Sequence, residues 1–107
     1  MNNTEITLEK SKIIVLSKPI EVSGGKLRYE QIELKEPVLI QVEQFYERQS
    51  TKNGMSAMKL LIALTSDGVP EAAISHMDFT DYKECEAYLM GFLTFDPSNT
   101  GKEQPPM

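Results

Sequence analysis

The side chains in this 107-residue chain whose types suit chemistry are one histidine, one cysteine and a group of acids near residue 80. His76 stands at the end of a short segment expected to be helical, where an imidazole interacts favourably with the helix C-terminus. General acid–base catalysis needs a second titratable group held beside it, and the neighbouring pattern supplies none. Cys85 falls in an apolar stripe and is flanked by Lys83-Glu84 and Glu86. A nucleophilic thiol needs basic neighbours, so Cys85 reads as a small core hydrophobe. Asp78, Asp81, Glu84 and Glu86 lack the spacing and the glycine bend of a calcium loop, and acids suit the start of a helix. Ser23-Gly24-Gly25-Lys26 joins two strand-like runs without the spacing of a phosphate loop, which makes it a turn. No catalytic residue, cofactor or metal ligand is expected.

With chemistry set aside, surface remains. Tyr88, Phe92 and Phe95 recur at i, i+4 and i+7 beside a second stripe of Tyr82, Cys85 and Leu89. An apolar arc this wide suits a core on one side and a protein partner on the other, with Tyr88, Phe92 and Phe95 as the candidate protein-binding residues. The competing reading packs both stripes internally or in a homodimer, the simplest homo-oligomer. Lysine and arginine number 11 against 16 acids, a net charge of −5, which argues against nucleic acid because phosphate would be repelled. The longest apolar run, Leu60 to Leu64, is far too short for a membrane span, and no signal-peptide pattern opens the chain. A lone cysteine excludes an internal disulfide and suits a reducing cytoplasm.

The elements that position these residues follow from hydrophobic period. Residues 1–11 read as a flexible arm. Ile13 and Val15 alternate with Ile14 and Leu16, a strand with both faces at least partly covered, and Pro19 must interrupt it or lie at an edge. On the return strand Leu27 and Tyr29 have opposite parity to Ile32 and Leu34, so one extra residue is expected near Glu30-Gln31. Pro37 suits a first helical position, and Val38, Leu39, Val42, Phe45 and Tyr46 then recur at three- and four-residue spacing as the apolar positions of an amphipathic helix ending near Gln49. Met55 to Thr65, Glu71 to about Met77, and a last segment capped by Asp78 or Thr80 and running to about Thr94 complete four helices. The prediction is an α+β domain over 12–95, with a hairpin over 12–35 and a small helical bundle over 37–95, followed by a disordered proline-rich tail over 96–107.

Taken in order, Leu16, Lys18-Pro19-Ile20, Gly24, Ile32-Glu33-Leu34-Lys35-Glu36-Pro37, Gly68-Val69-Pro70, Asp78, Asp81-Tyr82 and Gly91-Phe92 form a recognisable series. It resembles the small tail assembly chaperones of Mu-like tailed bacteriophages over roughly residues 13–93. Two positions depart: Lys35 stands where arginine is usual, and Val38-Leu39-Ile40-Gln41 is more apolar than the polar and acidic run of the family. The resemblance implies a non-enzymatic chaperone without cofactor. It would bind the tape measure protein in the host cytoplasm, keep it soluble, help recruit tail tube protein, and be absent from the mature virion. A structural tail completion or adaptor protein, or a small cytoplasmic ligand-binding domain, are the alternatives.

Overall fold

The computed structural model describes residues 8–99. Two antiparallel strands, β1 (Ser11–Val22) and β2 (Leu27–Lys35), precede four helices: α1 (Leu39–Thr51), α2 (Gly54–Thr65), α3 (Glu71–Ile74) and α4 (Phe79–Leu93). The architecture is the expected α+β hairpin-then-helices. A 3₁₀ turn over Pro97–Asn99 follows. β1 begins at Ser11 inside the stretch read as an arm; residues 1–7 and 100–107 of the expected arm and tail lie outside the described residues.

The hairpin turns through three successive residues of positive φ, Ser23, Gly24 and Gly25, as the paired glycines imply. Its irregularity is where parity demanded one, but the extra residues belong to the other strand. Val15 pairs with Gln31 and Ile20 with Tyr29, so Leu16 to Pro19 of β1 stand opposite Glu30 alone. Proline has no N–H to donate, which makes this stretch the natural place for the ladder to break. The excess is three residues rather than one, an odd number, and this brings the two apolar sets of β2 round toward one face.

That face carries Ile14, Leu16, Ile20, Ile32 and Leu34, all buried, and a single layer of helices covers it. α2 contributes Ala57, Met58, Leu61 and Ile62, α3 Ala73 and Ile74, and α4 Tyr82, Cys85 and Leu89. The opposite face is open: Ile13 and Val15 are 52% and 69% exposed, so the expectation of cover on both faces of β1 fails. A two-layer fold with one helical layer has nothing to place there.

Helix ends also differ in detail from expectation. Pro37 is buried and lies before α1, whose N-cap is Val38. Val38 lacks a side-chain acceptor; instead the Gln41 Oε1 accepts from the Val38 N–H (3.0 Å) while the Gln41 Nε2 donates to the Leu64 carbonyl (3.1 Å). One glutamine thus closes the start of α1 and ties it to the end of α2. α2 is capped conventionally, the Asn53 side chain accepting from the Ser56 N–H at 2.8 Å. α3 is a single turn, shorter than its expected reach to Met77. Its Glu71 serves as a partner for Arg48 of α1 (2.7 Å), clamping two elements across the domain. The Arg48 hydrogen bond holds the Glu71 carboxyl below its ordinary range, against the opposing effect of burial.

Candidate protein-binding surface

Of the residues singled out for chemistry, Asp81, Cys85 and Glu86 are occupied structurally. Asp81, at 3% exposure, turns inward, and both its carboxylate oxygens accept from the Ser17 N–H at 3.0 Å while the Ser17 hydroxyl donates at 3.1 Å. It therefore takes up an outward-facing backbone donor of β1 and fixes α4 to the strand. This is a different role from the helix-start acid expected from sequence. Glu86 pairs with Lys83 on the surface of α4. Cys85 is fully buried, and burial pushes its thiol up to about 12, with Asp81 and Glu84 adding to the effect. A thiol held protonated in this way is a packing group. His76 lies exposed in the turn after α3, its N–H donating to the Ala73 carbonyl.

α4 begins directly after Asp78, and its second apolar stripe emerges toward the C-terminal end. Tyr88 and Phe92 are half-buried and meet edge to face, with ring centroids 5.3 Å apart. The Tyr88 hydroxyl donates to the Glu9 carbonyl at 2.7 Å, so this ring anchors the chain entering β1. Burial, then the nearby Glu9 and Glu36 charges, raise the Tyr88 phenol above its usual range. Phe95 lies just past the helix end and is exposed. The three aromatics do not form one patch. Phe92 is shared between two grooves: Tyr88 lines the first, beside β1, and Phe95 the second, beside α1.

The second groove, about 430 Å³, is where sequence reasoning fell short. Pro37, Val42 and Tyr46 form its α1 wall and Phe92, Leu93 and Phe95 its α4 wall. Next to it the start of α1 presents Val38, Leu39 and Ile40 at 57%, 74% and 61% exposure, and Tyr46 is also exposed. Of the five apolar positions of this amphipathic stretch, only Phe45 is buried. The helix lies at the margin of the bundle, so most of its apolar residues meet solvent. The signal was present in the sequence: Val38-Leu39-Ile40 is a continuous apolar run, and a helix with one buried stripe has no use for three successive apolar residues. A cluster of this kind, beside a groove that Lys10 and Glu36 also line, has the composition of a protein-docking surface. No helix among the described residues is long and apolar enough to cross a membrane.

No curated protein and no solved structure gives a significant match to the chain. A family model does: "Phage tail assembly chaperone proteins, E, or 41 or 14" matches residues 13–94. That span runs from the outward-facing Ile13 to just past the end of α4 and takes in most of the hairpin and the Asp81–Ser17 latch, while Leu8, Lys10 and Phe95 of the groove beside α1 lie outside it. The chain belongs to the phage tail assembly chaperone family.

Proposed function

We propose that this protein binds the tape measure protein of a phage tail, keeps it soluble before assembly and helps recruit tail tube subunits to it. In this reading it acts in the host cytoplasm, does no chemistry, and leaves the particle once the tail is built. The functional unit is the single domain over 12–95.

The observation that supports this most is the exposed apolar strip Val38-Leu39-Ile40 at the start of α1, together with the exposed Tyr46, which also lines the groove between α1 and the end of α4. A long helical client presents apolar side chains at three- and four-residue spacing, and a groove between two helices accepts such a face. Each strip residue covered by the client contributes about 1–2 kcal/mol of gross hydrophobic free energy, before ordering costs. Phe92 and Phe95 supply the aromatic wall, and Tyr88 supports Phe92 from behind. The net charge of −5 keeps the loaded complex dispersed.

The test is Leu39→Ser with Ile40→Ser. Both side chains face solvent, so the variant should fold with wild-type stability and lose co-purification with the tape measure protein. Retained co-purification by a folded variant would remove the strip from the account.

A further inference from the structure

The first groove, about 740 Å³, separates α4 from β1. It is lined by Ile13 and Val15 from the open face of the sheet and by Ile14 from the buried face, so it follows the edge of the strand. Which backbone groups point into it can be read from the ladder. The Glu36 N–H donates to the Lys10 carbonyl (2.9 Å), and the same register continues through Lys12↔Leu34 and Ile14↔Ile32. Even-numbered residues of β1 therefore bond toward β2, and the odd-numbered ones point away from it.

Two contacts agree with that parity and bound the free edge. The Glu9 carbonyl takes the Tyr88 hydroxyl, and the Ser17 N–H takes the Asp81 carboxylate. Between them lie Ser11, Ile13 and Val15, whose outward N–H groups donate to no described residue and whose C=O groups accept from none. The free run is thus three residues centred on Ile13, at the edge of a sheet of only two strands.

We infer that β1 pairs antiparallel with β1 of a second copy of this chain, about a two-fold axis at Ile13. That register sets Ile13 against its own counterpart and Ser11 against Val15 in both directions, so every free group finds a partner and none falls on Glu9 or Ser17. A register moved by two residues would set Ser11 against Ser17, whose N–H is already engaged by Asp81. Charge supports the same occupant. Lys12 and Glu84 both line the groove, and neither has an ion-pair partner among the described residues. The pairing places Lys12 of one copy opposite Ile14 of the other, beside the α4 that carries Glu84, and the two-fold repeats the pair. Ile13 and Val15 of both copies then join in one apolar row across a four-stranded sheet.

The inference is independent of the tape measure reading and is tested on the full chain alone, by sedimentation equilibrium over about 1–100 μM. The wild type is expected to be dimeric. Ile13→Pro deletes an N–H that has no partner among the described residues, so it should give a monomer with an unchanged circular dichroism spectrum. Lys12→Glu should weaken the dimer about tenfold or more, and Lys12→Glu with Glu84→Lys should restore it. A monomeric wild type, a folded Ile13→Pro that still dimerises, or a charge swap that fails to restore would each overturn the proposal. If Ile13→Pro does not fold, the charge swap decides, because Lys12 and Glu84 are both exposed within one copy.

Discussion

Truncating Asp81 to alanine removes one side chain but releases two donors on another element. The carboxylate is buried, accepts the Ser17 N–H through both oxygens at 3.0 Å and accepts the Ser17 hydroxyl at 3.1 Å. A hydrogen bond to a charged group contributes about 1.5–3 kcal/mol. Ser17 is itself exposed, so water reaches its freed N–H, and the low end of that range applies to the amide. The hydroxyl adds about 0.5 kcal/mol, because it re-solvates at little cost. The expected loss for Asp81→Ala is therefore about 2 kcal/mol, which for a domain of this size lowers Tm by roughly 8–16 °C. Asp81→Asn keeps one acceptor for the amide and should lose about half as much, while Ser17→Ala should lose only the hydroxyl share, about 0.5 kcal/mol. Urea denaturation of the three variants, with the double variant closing a cycle, measures each share. If Asp81→Ala cost less than about 0.5 kcal/mol, or Ser17→Ala cost as much as Asp81→Ala, the latch between α4 and the broken strand would not be what holds them.

The other predictions concern separate parts of the molecule. Glu71 has a carboxyl pKa lowered by Arg48, so the stability it adds is present above the ordinary glutamate value of 4.5 and is lost as pH falls through its lowered folded value. Glu71→Gln should accordingly be less stable than wild type in urea titrations at neutral pH and lose that deficit in strong acid; a constant deficit at all pH would contradict the ion pair. Cys85, buried with its thiol pushed up to about 12, should not react with a disulfide reagent in the native state and should react fully in denaturant. Rapid labelling of native protein would refute that packing. Gly68 has φ +87°, so Gly68→Ala should cost about 1 kcal/mol through backbone strain alone, since no atom crowds the added methyl.

The order of elements was legible because the periods differ: two-residue alternation up to Lys35, and three- and four-residue recurrence after Pro37. Punctuation was legible too, in Gly24-Gly25 and Pro19. What was not legible depended on partners distant in sequence. The parity conflict in β2 located an irregularity, but the pattern of one strand cannot say which strand carries the extra residues. Asp81 looked like any acid in the first turn of a helix, because Ser17 stands 64 residues away. The apolar recurrence along α1 marked an amphipathic helix, but period alone does not distinguish a face that packs from one that meets a partner. Of the three aromatics of the candidate surface, spacing placed Tyr88 and Phe92 together, as the edge-to-face contact confirms. Phe95 follows the end of α4, where helical spacing no longer applies, and it joins the α1 side instead.

The central claim is that this protein keeps a tape measure protein soluble through its α1 strip and adjoining groove. The direct measurement is the soluble fraction of that tape measure protein, expressed alone, with this chain, and with the Leu39→Ser, Ile40→Ser variant. The account predicts that the protein is insoluble alone, soluble and co-purifying with the wild-type chain, and insoluble again with a folded variant. A tape measure protein that stays insoluble beside the wild-type chain, with nothing co-purifying, would contradict it.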